Sequence, residues 1–261
     1  MRPIWSGGIS FGLIYIPVNL FTATQEVALD LDLLSKKDKA PIRYARIDAK
    51  SGKEVAWKDV VKGFEFKKGD YVILDDEDFD KVEIHRSKTI EIECFVKESD
   101  VDSKYYEKPY YLEPVEGAEK TYALFAKALQ KSKKIGVAEF VFKNKEHLCV
   151  LKFDGDILVL NQLRYDSQIR DIKGLNLPKN YDVKEKELDL AMDLVENMTE
   201  EFDPGQFQDD YINGLKKVIE AKSKNKTVKV DKESSAQPKA TDMSELMESL
   251  KKSLDSVKGS K

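Results

Sequence analysis

Two histidines and two cysteines supply all the imidazole and thiol chemistry this sequence could offer. His147 and Cys149 stand two apart in an alternating segment, which puts both on one strand face, where a base could reach a nucleophile. Leu151 and Phe153 continue that face, so the pattern predicts a buried, inert thiol instead. Cys94, set between Ile92 and Val96, reads the same way. Two cysteines and the scattered His85 and His147 cannot assemble a zinc set. Gly7, Gly8 and Gly12 resemble a phosphate loop, but Leu13-Ile14 follows where Lys-Ser/Thr would be required. The run Asp75-Asp76-Glu77-Asp78-Phe79-Asp80 lacks the Gly and closing Glu of a calcium loop and reads as a solvated turn. With 48 carboxylates in the chain, no single acid pair points to catalysis. These residues predict no catalytic centre, no metal and no cofactor.

The chemistry that remains is cationic. The chain has 261 residues and a net charge of -4, yet its charges are segregated. Residues 36–58 sum to +5, residues 59–107 to −7, and residues 222–261 to +4. An acidic body with two basic segments can bind a polyanion locally, because phosphate contacts depend on where the cations sit. Lys36, Lys37, Lys39, Arg43, Arg46, Lys50 and Lys53 are the candidates for phosphate neutralisation, with Lys58 and Lys62 at the margin. The competing reading of charge alone is a set of solvated lysine-rich loops. Tyr44 and Trp57 are expected to pack this segment rather than to stack on bases.

The elements that would carry these cations read mainly as β. Ile9–Val18 is an apolar, β-branched run punctuated by Gly7-Gly8 and Pro17. Ile42–Ile47 and Lys53–Trp57, joined by Asp48-Ala49-Lys50-Ser51-Gly52, predict a two-stranded ribbon with basic faces. About ten residues at roughly 3.3 Å each would give such an arm a reach of about 33 Å. Tyr71–Leu74, Thr89–Val96, Tyr110–Leu112, Val137–Phe142, His147–Phe153 and Ile157–Leu163 follow as strands, the last two turning at Asp154-Gly155-Asp156. Between them, Tyr122, Phe125, Ala126 and Leu129 recur at helical spacing. The expected fold is therefore mainly β with α: an antiparallel sheet or barrel with one inserted helix.

Beyond Pro178 the period turns helical. Leu188, Ala191, Val195 and Met198 mark one helix; Asp203-Pro204 would open a second, through Tyr211, Leu215 and Ile219. Residues 222–241 read as a flexible linker. Met243, Leu246, Met247, Leu250, Leu254 and Val257 then line a short helix, with Asp242 and Glu245 placed as its cap; alone it should fray or fold on a partner. No apolar run is long enough for a bilayer span, and the opening residues do not read as a signal peptide. Two cysteines are too few for a disulfide framework and fit a reducing cytosol.

Particular motifs say more. The opening Arg2-Pro3-Ile4-Trp5-Ser6-Gly7-Gly8-Ile9-Ser10-Phe11-Gly12-Leu13-Ile14-Tyr15-Ile16-Pro17-Val18 resembles the start of bacterial Ku, the end-binding family of non-homologous end joining. Ile42-Arg43-Tyr44, Ser51-Gly52-Lys53-Glu54-Val55, Val61-Lys62-Gly63-Phe64-Glu65 and Tyr110-Tyr111-Leu112-Glu113-Pro114 follow in the family's order. So do Asn144-Lys145-Glu146-His147-Leu148, Leu160-Asn161-Gln162-Leu163-Arg164-Tyr165 and Phe202-Asp203-Pro204, so the resemblance covers about residues 1–222. It implies an antiparallel β-barrel with a protruding basic bridge arm, closed as a homodimer into a ring around duplex DNA ends. It further implies no activity of its own and recruitment of an ATP-dependent end-joining ligase, at the bacterial nucleoid in the cytoplasm. The family's bridge looks like a degenerate zinc ribbon; with no cysteine between Lys36 and Trp57, a metal-free bridge is expected here. Trp5, Phe11, Pro17, His147, Leu148 and Leu163 are read as structural.

The domains expected are a core over 1–187 with its arm at about 36–58, a helical region over 188–222, and a basic tail over 223–261 with a helix at 243–257. Leu188, Val195, Leu215 and Ile219, and in the tail Leu246, Leu250 and Leu254, are the partner-facing candidates. Two other functions compete. One is a barrel that binds single strands or RNA, for which aromatic platforms would be expected. The other is a protein scaffold whose basic segments only solubilise it.

Overall fold

The computed structural model describes residues 1–25, 27–81, 88–143, 145–177, 183–224 and 246–259. His85, Asn144, the 222–241 linker beyond Lys224, and the expected cap at Asp242 to Glu245 lie outside them. The chain forms two units, Met1–Ile172 and Lys173–Lys261.

The first unit follows from alternation. Its strands are β1 (Trp5–Phe11), β2 (Ile14–Thr22), β3 (Lys62–Lys67), β4 (Asp70–Leu74), β5 (Thr89–Lys97), β6 (Tyr106–Pro114), β7 (Lys134–Phe142), β8 (Lys145–Asp154) and β9 (Ile157–Leu163). Seven close into a barrel in the order β1-β2-β6-β9-β8-β7-β5, while β3 and β4 form a separate two-stranded sheet. In β2, every second residue (Ile16, Val18, Leu20) is fully buried, and Ile9, Ile90, Leu112, Phe140, Leu151, Leu158 and Leu160 meet them inside. Each such side chain contributes about 1.5–3 kcal/mol by leaving water. β8 is buried on both faces: Cys149 and Leu151 face the core, while Val150 packs outside with Ile135 and Leu163.

Ile9–Val18 is not one strand. Gly12, at φ 58, turns the chain with Leu13, so β1 and β2 form a hairpin with Ile9 opposite Ile16. The glycines do not end the strand either. A Cβ on Gly7 would lie 2.2 Å from the Lys88 carbonyl, and one on Gly8 2.3 Å from the Tyr15 ring. Gly7 thus lets β1 lie against the chain entering β5, and Gly8 makes room for the Tyr15 ring of β2; β1 and β5 run parallel, with Gly8, Ile9 and Ser10 in register.

Helix α1 (Asp76–Lys81) follows β4, where a solvated turn was expected, and α2 (Glu119–Ser132) joins β6 to β7. Asp75 accepts the Asp78 N–H at 2.9 Å and so starts α1, whose acidic first turn suits a helix N-terminus. The expected stripe of α2 is its buried face: Tyr122, Phe125, Ala126 and Leu129 join the barrel core. The Tyr122 hydroxyl donates to the Leu112 carbonyl at 2.7 Å and accepts the Leu158 N–H at 2.8 Å, tying β6 to β9 through the helix.

In the second unit, α3 (Glu185–Asn197), α4 (Asp210–Ser223) and α5 (Leu246–Gly259) are the helices, and α5 packs against α3. Asp203-Pro204 opens only a short 3-10 turn, Pro204–Gln206; Asp209 caps α4 instead by accepting the Ile212 N–H at 2.9 Å. Among the described residues, no helix is long and apolar enough to cross a membrane.

Candidate nucleic-acid interface

The cationic candidates all lie on the excursion that leaves the barrel at Thr22 and returns at Thr89. The expected ribbon over 42–57 is shortened to the part beside its turn. The chain turns at 48–53 as read, and the Asp48 N–H donates to the Lys53 carbonyl and the Val55 N–H to the Arg46 carbonyl, both at 2.8 Å, around the Ile47–Glu54 bridge. The rest is extended chain, with another turn at 35–40 beside the Leu34–Pro41 bridge. Local chemistry closes the second turn. The Asp48 carboxylate accepts the N–H groups of Lys50 and Ser51, closing a turn that Gly52 completes at φ 69. Those bonds hold the Asp48 carboxyl below its usual range, the Ser51 N–H being the largest cause. The Ser35 hydroxyl, then the Ala40 N–H, lower Asp38 likewise in the first turn. The regular ribbon of the arm is β3–β4, some residues further on.

Lys36, Lys37 and Lys39 occupy the first turn, with the Lys39 ammonium donating to the Lys36 carbonyl at 3.1 Å. Arg43 and Arg46 lie on the extended stretch, Lys50 and Lys53 on the second turn, and Lys58 in the 3-10 turn Trp57–Asp59. Lys62 opens β3, its ammonium 4.4 Å from the Phe79 ring centroid. All nine are exposed, and among the described residues none pairs with a carboxylate. The acids inside the turns, Asp38 and Asp48, each have one carboxylate oxygen held by backbone N–H groups of their own turn. The Arg46 guanidinium lies 4.7 Å from the Trp57 ring centroid, but Trp57 is 73% exposed and Tyr44 85%, so neither ring packs into the arm as expected.

The sequence reading missed Lys67 and Lys68, exposed at the β3–β4 tip beside Gly69 at φ 88. They were hidden in a stretch whose acidic total masked them; the Lys-Lys-Gly-Asp hairpin was the available signal. The arm carries a second feature. Ile42, Ile47, Val61, Phe64, Phe66, Tyr71, Val72 and Ile73 are all exposed, and no described residue between Ala23 and Lys88 is buried. Phe64 pairs with Val72 on one face of β3–β4, and Gly63 with Ile73 on the other, so both faces are apolar.

Of the residues with possible reactive chemistry, His147 and Cys149 are structural. His147 lies against Phe140; its Nε2 meets the Phe142 carbonyl at 3.3 Å and its Nδ1 the Gln162 amide at 3.0 Å. That pattern fits Nε2–H donating to the carbonyl and Nδ1 accepting from the amide. Cys149 is fully buried, and burial pushes its thiol far up. Cys94, expected to be buried, is exposed, because the register with β7 shifts between Ile92 and Cys94 and turns the strand's inward sequence outward. Among the described residues no cluster of His, Cys, Asp and Glu could hold a metal ion.

In the second unit, Leu188 and Val195 on α3 and Ile219 on α4 are exposed, and Leu215 is half-buried. Leu246 opens α5, Leu250 is half-buried, and Leu254 is buried. Leu254 thus serves the packing of its own unit instead of facing a partner, since α5 has α3 to pack on.

A family model described as the Ku70/Ku80 beta-barrel domain matches residues 10–190. The non-homologous end joining protein Ku of Coxiella burnetii is 37% identical over 97% of this chain and 94% of its own length. That of Opitutus terrae is 38% identical over 98% and 92%, and that of the archaeon Archaeoglobus fulgidus 37% over 99% and 100%. Barrel, excursion and relatives agree: the chain belongs to the Ku family.

Proposed function

We propose that two copies of this chain close a ring through which a duplex DNA end threads, held without regard to sequence, in double-strand break repair by non-homologous end joining. The observation that carries this reading is the arm. Its nine expected cations, joined by Lys67 and Lys68, are exposed and among the described residues pair with no carboxylate, and Ile42, Ile47, Phe64, Phe66, Tyr71, Val72 and Ile73 stand exposed beside them. A lone two-stranded hairpin is marginal in water, and one with two apolar faces calls for a protein surface on it. A second copy supplies that surface and, symmetrically, a second set of cations. Lysine and arginine reaching phosphates release counterions and so bind any duplex sequence.

In this reading the chain has no catalysis of its own. Joining is brought by an ATP-dependent ligase recruited through the helical C-terminal unit, where Leu188, Val195 and Ile219 remain outward. The protein works in the cytoplasm, at the nucleoid.

The test compares linear duplex with covalently closed duplex of equal length. Linear DNA should bind and the closed circle should fail to compete; equal binding of both overturns threading. Sedimentation without DNA should give a mass near twice 29.8 kDa. Phe64→Asp with Val72→Asp should shift it toward the monomer; a monomer that still retains linear ends would exclude the ring.

A further inference from the structure

Helix α2 buries one face in the barrel and leaves a second face beside a groove. Phe11 and Ile14 of the β1–β2 hairpin, Phe95 of β5, and Leu124 and Ala128 of α2 line it, with a volume of about 440 Å³. Phe11 meets Phe95 edge-on at 6.4 Å and Phe125 at 4.9 Å, so the floor is a rigid aromatic cluster. Leu124 is 67% exposed at the lip, and Leu13 at the hairpin tip extends the apolar rim. Nothing in the DNA-binding reading uses this surface.

Charge around the groove has one sign. Lys134 lies on its lining, and no lining residue is acidic. Lys120, Lys127 and Lys131 fall at helical spacing on the face of α2 that carries Leu124, and all three are exposed. An apolar trough with a lysine rail selects an occupant with apolar anchors and flanking carboxylates.

The lining also selects the occupant's backbone. Seven of its ten residues carry apolar side chains; the polar ones are Thr121, Lys134 and Ser132, whose hydroxyl donates to the Leu129 carbonyl at 3.1 Å. An extended peptide would bury most of its N–H and C=O groups there with too few partners. A helix arrives with those groups satisfied internally. We propose that this groove docks an amphipathic helix of a partner protein, with leucine-type anchors in the Phe11–Phe95–Leu124 trough and acidic residues along Lys120, Lys127 and Lys131.

The probe is a stapled, fluorescein-labelled synthetic helix with leucines at i, i+4 and i+7 and glutamates beside them, titrated by anisotropy into the full-length protein. Saturable binding is expected, weakened at least tenfold by Leu124→Glu, by Lys127→Glu with Lys131→Glu, and by exchanging the probe's glutamates for lysines. Both protein variants alter exposed positions, and circular dichroism with thermal melts checks that they fold. No saturable binding to the wild type, or binding indifferent to these changes, overturns the proposal. So does a change of sedimenting mass with Leu124→Glu, which would make the groove a contact between copies. If Lys127→Glu with Lys131→Glu weakens duplex binding and leaves the probe's affinity intact, the rail belongs to DNA and the proposal also fails.

Discussion

Barrel and arm are built from similar residues and treat them oppositely. Ile9, Ile16 and Leu160 in the barrel are wholly buried; Ile42, Ile47 and Phe64 in the arm stand in solvent. The barrel satisfies itself: every wall strand has neighbours on both sides, and a helix hydroxyl bridges two of them. The arm satisfies its turns locally and leaves its apolar and cationic surface for something else. Stability lives in the first region and binding in the second, so a substitution should reveal its region by which measurement it moves.

The largest difference should come from equal truncations. Leu160→Ala removes a fully buried side chain and should cost about 2–5 kcal/mol, read as a lowered denaturation midpoint. Ile47→Ala in the arm should cost no more than about 0.5 kcal/mol at protein concentrations too low for dimers. Matching costs would erase the contrast.

Tyr122→Phe sharpens the barrel side. It strips the Leu112 carbonyl and the Leu158 N–H of a shared partner while keeping the ring, and should cost about 1–3 kcal/mol. A denaturant midpoint within error of the wild type would mean that β6 and β9 do not depend on this bridge.

On the arm side, Arg43→Glu with Arg46→Glu should weaken linear-duplex binding at least tenfold, about 1.4 kcal/mol, with the melting temperature unchanged. Each phosphate no longer neutralised should also flatten the salt dependence by about 0.9 in slope. Lys97→Glu with Lys104→Glu, on the barrel, is the control; equal losses from the two pairs would take the interface off the arm.

The smallest effect is a pH response of one turn. Asp48 has a folded value below its unfolded one, so its contribution to the 48–53 turn is complete above the ordinary aspartate value, about 3.9. It is lost only as pH falls through the lowered folded value. The Ser51 amide shift should therefore titrate below that ordinary value; titration at or above it would show that the carboxylate is not held by the turn.

The sequence was legible where one pattern had one reading. The α2 stripe and the β9 strand emerged as written, since period and burial agree there. The family motifs led to the barrel, and the charge count to the arm's cations. What failed were places where a single residue overrides the pattern. Gly12 splits an apolar run into a hairpin, and a bulge after Ile92 turns Cys94 outward. The helix after Met243 looked isolated because its packing partner, α3, lies some fifty residues earlier and leaves no local mark.

The seam where β1 meets β5 has a mechanical consequence. The chain enters the arm from β2 and re-enters the barrel at β5, and only β1 separates those strands. A load dragging on the arm therefore pulls on both neighbours of one strand. On the β2 side the grip is seven register pairs; on the β5 side it is three. Tension should be released first where β5 peels from β1, near Gly7 and Gly8, leaving the β1–β2 hairpin intact. The glycine that lets the two backbones touch, Gly7, also sets where this barrel would tear.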